Sequence, residues 1–518
     1  MKKTNEDFNL FVNEWIPVLL TDGRTSLVSL EQLFRAPDQI REIFHQDPTV
    51  VAAIWSFILA LMYRAYDGKI DSMKQWQGFV ARNDFKDVLI YLKKIKSRLN
   101  LFGDEAFMQC TGLEAESKLV SELVQNHASG NNDVLFNHHN FLSGAKLTPA
   151  EAAQQLLANH SYSIKCNPNQ KSAELYGSAK HAILVAGAFV LIRDKTLSNS
   201  LWLNFISPPF LSESLKTGSD TAAWERDSLR PRGRLDRPVQ GIADLLSRQP
   251  RRIRLLLDDD GFIRNIYYEA GENVIGEIKH PYFAYRDLTK AKKNGEIKIL
   301  ETRAISLSVE RSIWRDSTAL FATSVNEDEY KVYQPPMAFQ QFCTYQKQNP
   351  NQQITKKECS VLGVDNNKSK MRQWFHERMP LSVDLLNDKD QWKELHEMIV
   401  IAEKLGGALR YASLNYAKIL RSQTDEEDPP AVVTSCVADY WFSMDLIFQS
   451  SFEMIGDGTL RLADWAERAS NQCRRAFGSI AAQSNNRRSY EAYGIAKGEL
   501  ERGIYFVNKP FTEVEKAE

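Results

Sequence analysis

Two adjacent histidines, His138 and His139, are the first residues in the chain whose chemistry suggests a reactive site. Histidine is a common zinc ligand, but catalytic zinc motifs add a second histidine four residues along a helix and a nearby carboxylate. Here both histidines lie in a polar, turn-prone stretch, where adjacent side chains rarely point at one ion. We expect no metal at this position. A metal-dependent hydrolase using His138, His139 and Asp258 remains an alternative.

Three consecutive aspartates, Asp258 to Asp260, precede Gly261 and superficially resemble a calcium loop. They stand between two strand-like runs, Arg251–Leu257 and Phe262–Tyr268, so we predict a hairpin turn. The sequence has no Gly-x-x-x-x-Gly-Lys-Ser/Thr, no Gly-x-Gly-x-x-Gly after a strand and no Gly-x-Ser-x-Gly. We therefore predict no catalytic residue, no metal and no cofactor, as in a protein that is not an enzyme.

A dense group of arginines, without any lysine, follows Trp224. The planar guanidinium fits phosphate, so the group suggests contact with a nucleic-acid backbone. The alternative is a solvated face on which the arginines pair with neighbouring acids such as Asp236 and Asp244. The sequence leaves both interpretations open. The nine residues are Arg226, Arg230, Arg232, Arg234, Arg237, Arg248, Arg251, Arg252 and Arg254.

Composition indicates a soluble globular protein. The chain has 518 residues, 43% hydrophobic and 25% charged, and a formal net charge of −1. A nucleic-acid binder that acts alone is usually basic, so neutrality favours an enzyme, a structural protein or one subunit with a local basic patch. Val50–Tyr63 is apolar but shorter than a membrane span, so it predicts a buried helix and no membrane association. Six cysteines without Cys-x-x-Cys spacing and no apolar leader indicate a cytoplasmic protein with free thiols.

The elements expected to position a binding site lie between residues 131 and 204. Thr148, Pro149 and Glu151 form a capping box with proline at the first helical position, which predicts a helix from Thr148 to Asn159. A loop is predicted over Cys166–Ala179. Strand-like runs are predicted over His181–Ile192 and Leu201–Phe205. Irregular loops on a regular frame are where binding usually occurs.

Other local patterns complete the first part of the chain. A hairpin-like start around the turn at Thr21–Arg24 is expected, followed by helical segments over Leu27–Leu33 and Asp47–Ala65. A further strand is predicted over Glu296–Glu301. Polar Leu362–Lys370 is predicted to be a loop, because its glycine and asparagines suit tight turns.

From about Asp388 to Val507 the pattern predicts four helices. Apolar residues recur every three or four positions, as in Trp392, Leu395, Ile399 and Ala402 of the first. Four comparable helices with short links favour an up-down bundle. The predicted fold is α+β: a large mixed N-terminal domain of unusual fold, residues 1–383, followed by a C-terminal four-helix bundle, residues 384–518.

Several landmarks follow one another in a family order. The sequence resembles the large subunit of the type I-E CRISPR surveillance complex Cascade, the CasA-like family, over nearly its whole length. The matching pieces are Asn9–Val18, Phe107-Met108-Gln109, Leu135-Phe136-Asn137-His138, Thr148–Ala153, Leu201–Asn204, Trp224–Asp227, His280-Pro281, Trp314-Arg315-Asp316 and the helical end. The resemblance implies a non-enzymatic subunit that reads the protospacer-adjacent motif (PAM) on duplex DNA, helps to open it and recruits a helicase-nuclease in antiviral defence.

The same resemblance implies partners and site residues. The partners are a CRISPR guide RNA, target double-stranded DNA, the backbone, small and 5′-handle-binding Cascade subunits, and the helicase-nuclease. The residues matching the anchor on the guide's 5′ handle are Phe136, Asn137 and His138. The residues matching a glycine-rich minor-groove loop are Glu174, Tyr176 and Gly177, of which Gly177 alone is glycine.

Two further DNA-contacting elements are implied. A lysine finger enters the minor groove, and the candidates are Lys279, Lys290 and Lys292. A wedge hairpin matches Asn366, Asn367 and Lys368, where lysine stands in place of the family's glutamine. The remaining alternative is a purely structural helical scaffold subunit, whose DNA binding would not depend on these polar loops.

Overall fold

The computed structural model describes eleven stretches of the chain. These are residues 7–124, 145–165, 169–216, 219–291, 297–322, 331–349, 357–367, 370–381, 388–420, 431–482 and 486–514. The chain divides into two compact units. The mixed unit contains residues 1–309 and 327–381, and the helical unit contains residues 310–326 and 382–518. Residues 310–326 thus belong to the helical unit, although the sequence analysis assigns them to the N-terminal domain.

Fourteen strands lie among the described residues. They are β1 (Ile16–Leu20), β2 (Thr25–Val28), β3 (Ile40–Ile43), β4 (Ser117–Leu119), β5 (Phe189–Arg193), β6 (Leu235–Arg237), β7 (Arg251–Leu257), β8 (Ile263–Ala270), β9 (Glu272–Val274), β10 (Tyr285–Ala291), β11 (Ile297–Ala304), β12 (Lys331–Gln334), β13 (Lys357–Asn367) and β14 (Lys370–Leu381). All belong to the mixed unit.

The same stretches contain fourteen α-helices. They are α1 (Leu30–Arg35), α2 (Pro48–Ala65), α3 (Met73–Arg82), α4 (Lys86–Lys94), α5 (Pro149–Tyr162), α6 (Gln170–Tyr176), α7 (Leu197–Asn204), α8 (Ile242–Leu246), α9 (Ser317–Leu320), α10 (Met337–Gln348), α11 (Lys389–Leu420), α12 (Ala431–Gly456), α13 (Leu462–Ala482) and α14 (Arg487–Val514).

Small sheets build the mixed unit. Their strand orders are β2-β1-β3, β4-β8-β7, β14-β13-β5, β11-β10-β12 and the parallel pair β6-β9. The predicted hairpins are confirmed: β1 pairs antiparallel with β2 across the turn at residues 21–24, and β7 pairs antiparallel with β8 across the aspartate turn. In that turn the Asp258 carboxylate accepts hydrogen bonds from the backbone of Asp260 and Phe262, so it is committed to holding the hairpin.

The core of the mixed unit is centred on α2. The Asp47 side chain caps this helix by accepting from the backbone of Thr49, and Pro48 occupies its first turn. Among the described residues, two helices, Pro48–Ala65 and Ala431–Ile455, are long and apolar enough to cross a membrane by length and composition. Of the first, 83% is buried inside the protein, which confirms the predicted buried helix; of the second, 28% is buried.

Four predictions about local structure in the mixed unit are corrected. Leu201–Asn204 is helical, because it forms the end of α7, whose N-terminus is capped by Thr196, and Phe205 is the residue that follows the helix. The predicted loop over Cys166–Ala179 contains α6, capped by Asn169. In place of the predicted loop over Leu362–Lys370, β13 and β14 pair up to Asn367 and Lys370, with a bulge between Asp365 and Asn366. In addition, the predicted helix over Leu27–Leu33 begins only at Leu30, after β2.

The four predicted helices of the C-terminal bundle are confirmed as α11 to α14. Their apolar faces form the core, and Tyr440 and Trp465 each donate a hydrogen bond to a backbone carbonyl of α11. A segment that precedes the bundle in sequence packs onto α12 within the same unit. The Trp314 indole stacks on Phe448, with ring centres 4.4 Å apart, and donates to the Asp445 carboxylate.

Candidate nucleic-acid interface

The turn after α6 is the centre of the described candidate interface. Gly177 ends α6 with a positive φ of 81°, and its amide donates to the carbonyl of Ala173. A side chain is disfavoured at this φ, which explains glycine at this position without reference to any ligand. Glu174 lies on the exposed side of α6 and accepts a hydrogen bond from Gln170.

Tyr176 lies inside the fold and not on the interface. Only 4% of it is exposed, and its hydroxyl donates to the carbonyl of Glu114 at 3.0 Å. The ring packs in a small apolar cluster with Cys110 and Leu113. Burial raises the pKa of the phenol. The side chain of Tyr176 therefore supports the turn from beneath and does not face a ligand, although the sequence analysis counts this residue among those matching the minor-groove loop.

Residues 229–234, which we call the arginine loop, pack against this turn. The amide of Gly233 donates to the carbonyl of Leu175 at 2.7 Å. A Cβ placed on Gly177 would lie 3.3 Å from both Cβ and Cγ of Arg234. Asn273 of β9 joins the other side of the turn, since its amide donates to the carbonyl of Ser178 at 3.0 Å and to Asp236 at 3.1 Å.

A buried ion-pair network accounts for three of the nine arginines. Arg237 donates to both oxygens of Asp244, at 2.7 and 2.6 Å, and to Glu272 at 2.6 Å. Arg226 reaches Asp244 at 3.0 Å, and Arg248 lies 3.5 Å from the same carboxylate. The Asp244 side chain is fully buried. These arginines pair with acids, as the second interpretation holds, but the acids are buried, and Arg226 and Arg237 are only partly exposed.

The network shifts the pKa of its acids. Burial alone raises the pKa of the Asp244 carboxyl, but hydrogen bonds from Arg237 and the charges of Arg226 and Arg248 outweigh it and hold the pKa below its usual value. The pKa of Glu272 is lowered for the same reasons. Both acids are therefore ionised at neutral pH, and the network is charged throughout.

Arg251 and Arg252 stabilise the fold through hydrogen bonds to backbone carbonyls. Both are fully buried, at 1% and 0% exposed. Arg251 donates to the carbonyls of Pro250 and Lys180, and Arg252 donates to those of Arg230 and Gly233. Arg254, which is half-buried, donates to the carbonyl of Gly103. Six of the nine arginines thus hold the fold together, and the three exposed ones lie in the arginine loop: Arg230, Arg232 and Arg234.

Lys279, one of the three finger candidates, lies against a different sheet. Its exposed ammonium group donates to the Gln334 side chain at 2.7 Å and lies 5.9 Å from the centre of the Tyr285 ring. The next residue, His280, is buried, and burial lowers its pKa to about 3. Lys290 lies on β10, but its side chain is outside the described part of the structure, as is all of Lys292.

The wedge candidates lie at the end of the β13–β14 hairpin. β13 pairs with β5 over residues 358–362, and beyond that point residues 363–367 pair with β14. At about 3.4 Å per residue this stretch spans roughly 17 Å, and its first three residues are buried in the fold. Asn366 is half-buried opposite Met371, next to a bulge. The side chain of Asn367 and all of Lys368, which connects the two strands, lie outside the description.

Contacts bring together only part of the predicted site. Contacts join Gly177, the arginine loop and the buried Asn273 of β9, whereas Lys279 lies beside a second sheet and Asn366 lies in a third. Phe136, Asn137 and His138, the predicted guide-handle anchor, lie outside the described residues, as does His139. Within the described ranges, no group of three or more histidines, cysteines and acids has metal-binding geometry.

The sequence analysis missed Asn273 and the supporting role of Arg252. Both act on residues distant in sequence: Asn273 contacts Ser178, and Arg252 contacts Arg230. No local spacing signals such contacts. The lack of lysine in the arginine group is the one available signal, because arginine is the cation better suited to burial.

Comparison with known proteins gives consistent matches over nearly the whole chain. A family model described as CRISPR-associated protein Cse1 matches residues 9–476. The chain is 27% identical over 471 residues to the CRISPR-associated protein CasA/Cse1 of Thermus thermophilus, a match covering 87% of this chain and 88% of that protein.

Solved structures show the same fold. The crystal structure of Thermus thermophilus CasA superposes with a TM-score of 0.77 at 22% identity, covering 96% of this chain and 99% of that one. A chain of a structure described as a CRISPR RNA-guided surveillance complex gives 0.74 at 19% identity, covering 95% and 99%. The predicted α+β fold with a C-terminal helical bundle is confirmed.

Proposed function

Because the chain belongs to the CRISPR-associated Cse1 family, we propose that it is the large subunit of a type I-E CRISPR surveillance complex, Cascade. In this role it recognises the PAM on duplex DNA, starts strand separation and R-loop formation, and recruits the helicase-nuclease. It performs no catalysis of its own and works in the cytoplasm. Its partners are the guide RNA, the target duplex, and the backbone, small and 5′-handle-binding subunits.

The family match over residues 9–476 is the observation that carries this proposal. The geometry supports it in two places. The β13–β14 hairpin continues beyond its pairing with β5 to the half-buried Asn366, and the sequence then supplies Asn367 and Lys368, polar residues that suit a wedge between base pairs. The Gly177 turn presents backbone and arginines at one surface, which suits contact with a duplex.

The physics of PAM recognition fits a neutral subunit. The minor groove distinguishes mainly A·T from G·C pairs, so a PAM read there is permissive. Base pairing with the guide supplies the sequence specificity, and the protein needs only a few DNA contacts. A formal net charge of −1 is compatible with this role because neighbouring subunits neutralise most of the phosphates.

The test is to purify the chain with its operon partners and guide RNA, and to measure binding to duplexes with randomised flanking bases. We expect guide RNA to copurify and binding to depend on the flanking bases. Lys368→Ala should reduce duplex opening, followed by permanganate reactivity of unpaired thymines, and leave assembly intact. Lys86→Ala, at an exposed lysine on α4, is the matched control. Equal binding to all flanking sequences would refute PAM recognition.

The guide-handle anchor has a separate test. Phe136→Ala should cause the subunit to separate from the complex during gel filtration, while the remaining subunits retain the guide. Unaltered retention would remove Phe136 from the anchor without affecting the PAM proposal.

A further inference from the structure

The arginine loop is held rigidly from beneath by a buried arginine. Arg252 donates from Nε to the carbonyl of Arg230 at 2.8 Å and from Nη2 to that of Gly233 at 2.6 Å. On the outside, Arg230 Nη2 donates to the carbonyl of Arg234 at 2.7 Å and closes the loop on itself. Burying a guanidinium is costly unless its donors are satisfied. This arrangement therefore fixes the loop backbone, and with it the origin of each exposed arginine side chain.

The positive charge of the loop is largely uncompensated. Residues 229–234 carry three arginines and no acid. Arg234 has an ion-pair partner, since its Nε lies 2.5 Å from Asp236. Among the described residues, Arg232 has no hydrogen bond or ion pair to the protein, and its side chain is exposed. The adjoining α6 and the chain after it add two exposed lysines, Lys171 and Lys180, against one exposed acid on α6, Glu174.

This combination is that of a phosphate-binding surface. Arginine presents donors in a planar fork that matches phosphate oxygens, and a pre-organised backbone reduces the entropy lost on binding. The loop is hydrogen-bonded to the last turn of α6 at Leu175, directly beside Gly177. A duplex that approaches the Gly177 turn therefore brings its phosphates within reach of the three guanidinium groups.

We propose that the arginine loop binds the phosphodiester backbone of the target duplex beside the Gly177 turn. This inference rests on the proposed function, which places duplex DNA at that turn. The loop contributes sequence-independent affinity and fixes the position of the duplex, whereas the neighbouring elements read the PAM. The loop could instead bind an acidic face of a second Cascade subunit. The experiment distinguishes this alternative from binding to DNA.

The experiment measures the affinity of the complete guide-loaded complex for PAM-bearing and PAM-less duplexes at several salt concentrations. Each lost phosphate contact lowers the slope of log affinity against log salt by about one. We expect Arg232→Ala and Arg234→Ala each to lower the slope by about this amount and to weaken both duplexes equally. Arg232→Lys, which retains the charge, should recover most of the slope.

Arg24→Ala is the matched control, because Arg24 is an exposed, acid-paired arginine on the β1–β2 turn. An unchanged slope in both loop variants overturns the inference, and so does release of the subunit from the complex, which would assign the loop to a protein partner. If the parent complex does not distinguish the two duplexes, the proposed function fails as well. If it does distinguish them and the slopes are unchanged, only the arginine loop assignment is lost.

Discussion

The backbone of Gly177 and the side chain of Arg234 occupy adjoining space, so that a Cβ on Gly177 would lie 3.3 Å from Cβ and Cγ of Arg234. This is closer than ordinary contact between carbon atoms. The glycine is thus required twice: by its φ of 81° and by the arginine loop packed against it. The turn and the loop therefore form a single structural element, and a change in one should disturb the other.

Gly177→Ala should destabilise the turn and weaken DNA binding together. With φ 81° and ψ −167°, Gly177 lies in a backbone region that is essentially confined to glycine, which alone costs about 1–3 kcal/mol for a residue with a side chain. Gly276→Ala is a matched control, because Gly276 has a φ of 84° and open space around its would-be Cβ. Hydrogen exchange of residues 229–236 should increase in Gly177→Ala only, accompanied by a lower affinity for duplex DNA. Equal exchange in both variants would show that the contact with Arg234 is unimportant.

Asp244→Ala should strongly destabilise the mixed unit. Its fully buried carboxylate pairs with Arg226, Arg237 and Arg248. Its removal leaves Glu272 as the one acid of the network against three arginines, so that the buried positive charge is no longer balanced. Breaking a buried pair in this way costs about 3–5 kcal/mol. Urea unfolding of the isolated chain, with hydrogen exchange of β6 and β9 as the readout, measures the loss of stability. Asp22→Ala, which breaks an exposed pair, should leave stability almost unchanged.

The buried histidine at position 280 predicts a specific pH dependence. Burial lowers its pKa from 6.5 to about 3, so the unfolded chain takes up the proton first as pH falls. Stability is therefore unaffected by this group above about pH 6.5 and is lost progressively below it, by about 2 kcal/mol at pH 5. His280→Phe keeps a ring beside Phe283 and removes this loss. The free energy of unfolding of the variant should rise relative to that of the parent as the pH falls from 8 to 5. A difference that stays constant over this range would contradict a buried, neutral His280.

Local signals predicted some elements well and others not at all. Helix α5 was predictable because Thr148, Pro149 and Glu151 lie within four residues of each other, and the structure forms this capping box. The run Leu201–Phe205 was misassigned because a short apolar run has no period that separates a buried strand from a buried helix. The cap that decides between them, Thr196, lies outside the run.

The structure of the candidate site was also only partly predictable, because it depends on contacts between residues that are distant in sequence. The sequence shows that the arginine group is dense and lacks lysine, but not which members are buried. That depends on partners such as Glu272, which pairs with Arg237 across 35 positions. Family resemblance supplied the surface around Gly177, whereas the burial of Tyr176 follows from packing against Cys110 and Leu113, to which the local sequence gives no guide.

Trp314→Ala should loosen the segment that docks on α12 within the helical unit. The ring stacks on Phe448 and its indole donates to Asp445, which also accepts from Ser312 at 2.9 Å. Loss of a large buried aromatic ring costs about 3–5 kcal/mol. Hydrogen exchange of residues 311–320 should accelerate accordingly, while Trp314→Phe, which retains the stacking, should have a smaller effect.

The control for this prediction lies on the same helix. Phe442 of α12 is 68% exposed, so Phe442→Ala removes an aromatic ring of similar size without removing a buried contact. It should leave the exchange of residues 311–320 at the parental rate. If Trp314→Ala also left the exchange of residues 311–320 unchanged, the stacked indole would not hold the segment. The ion pairs that Arg311 and Arg315 make with Glu403 of α11 would then have to hold it alone, and Glu403→Ala would release it.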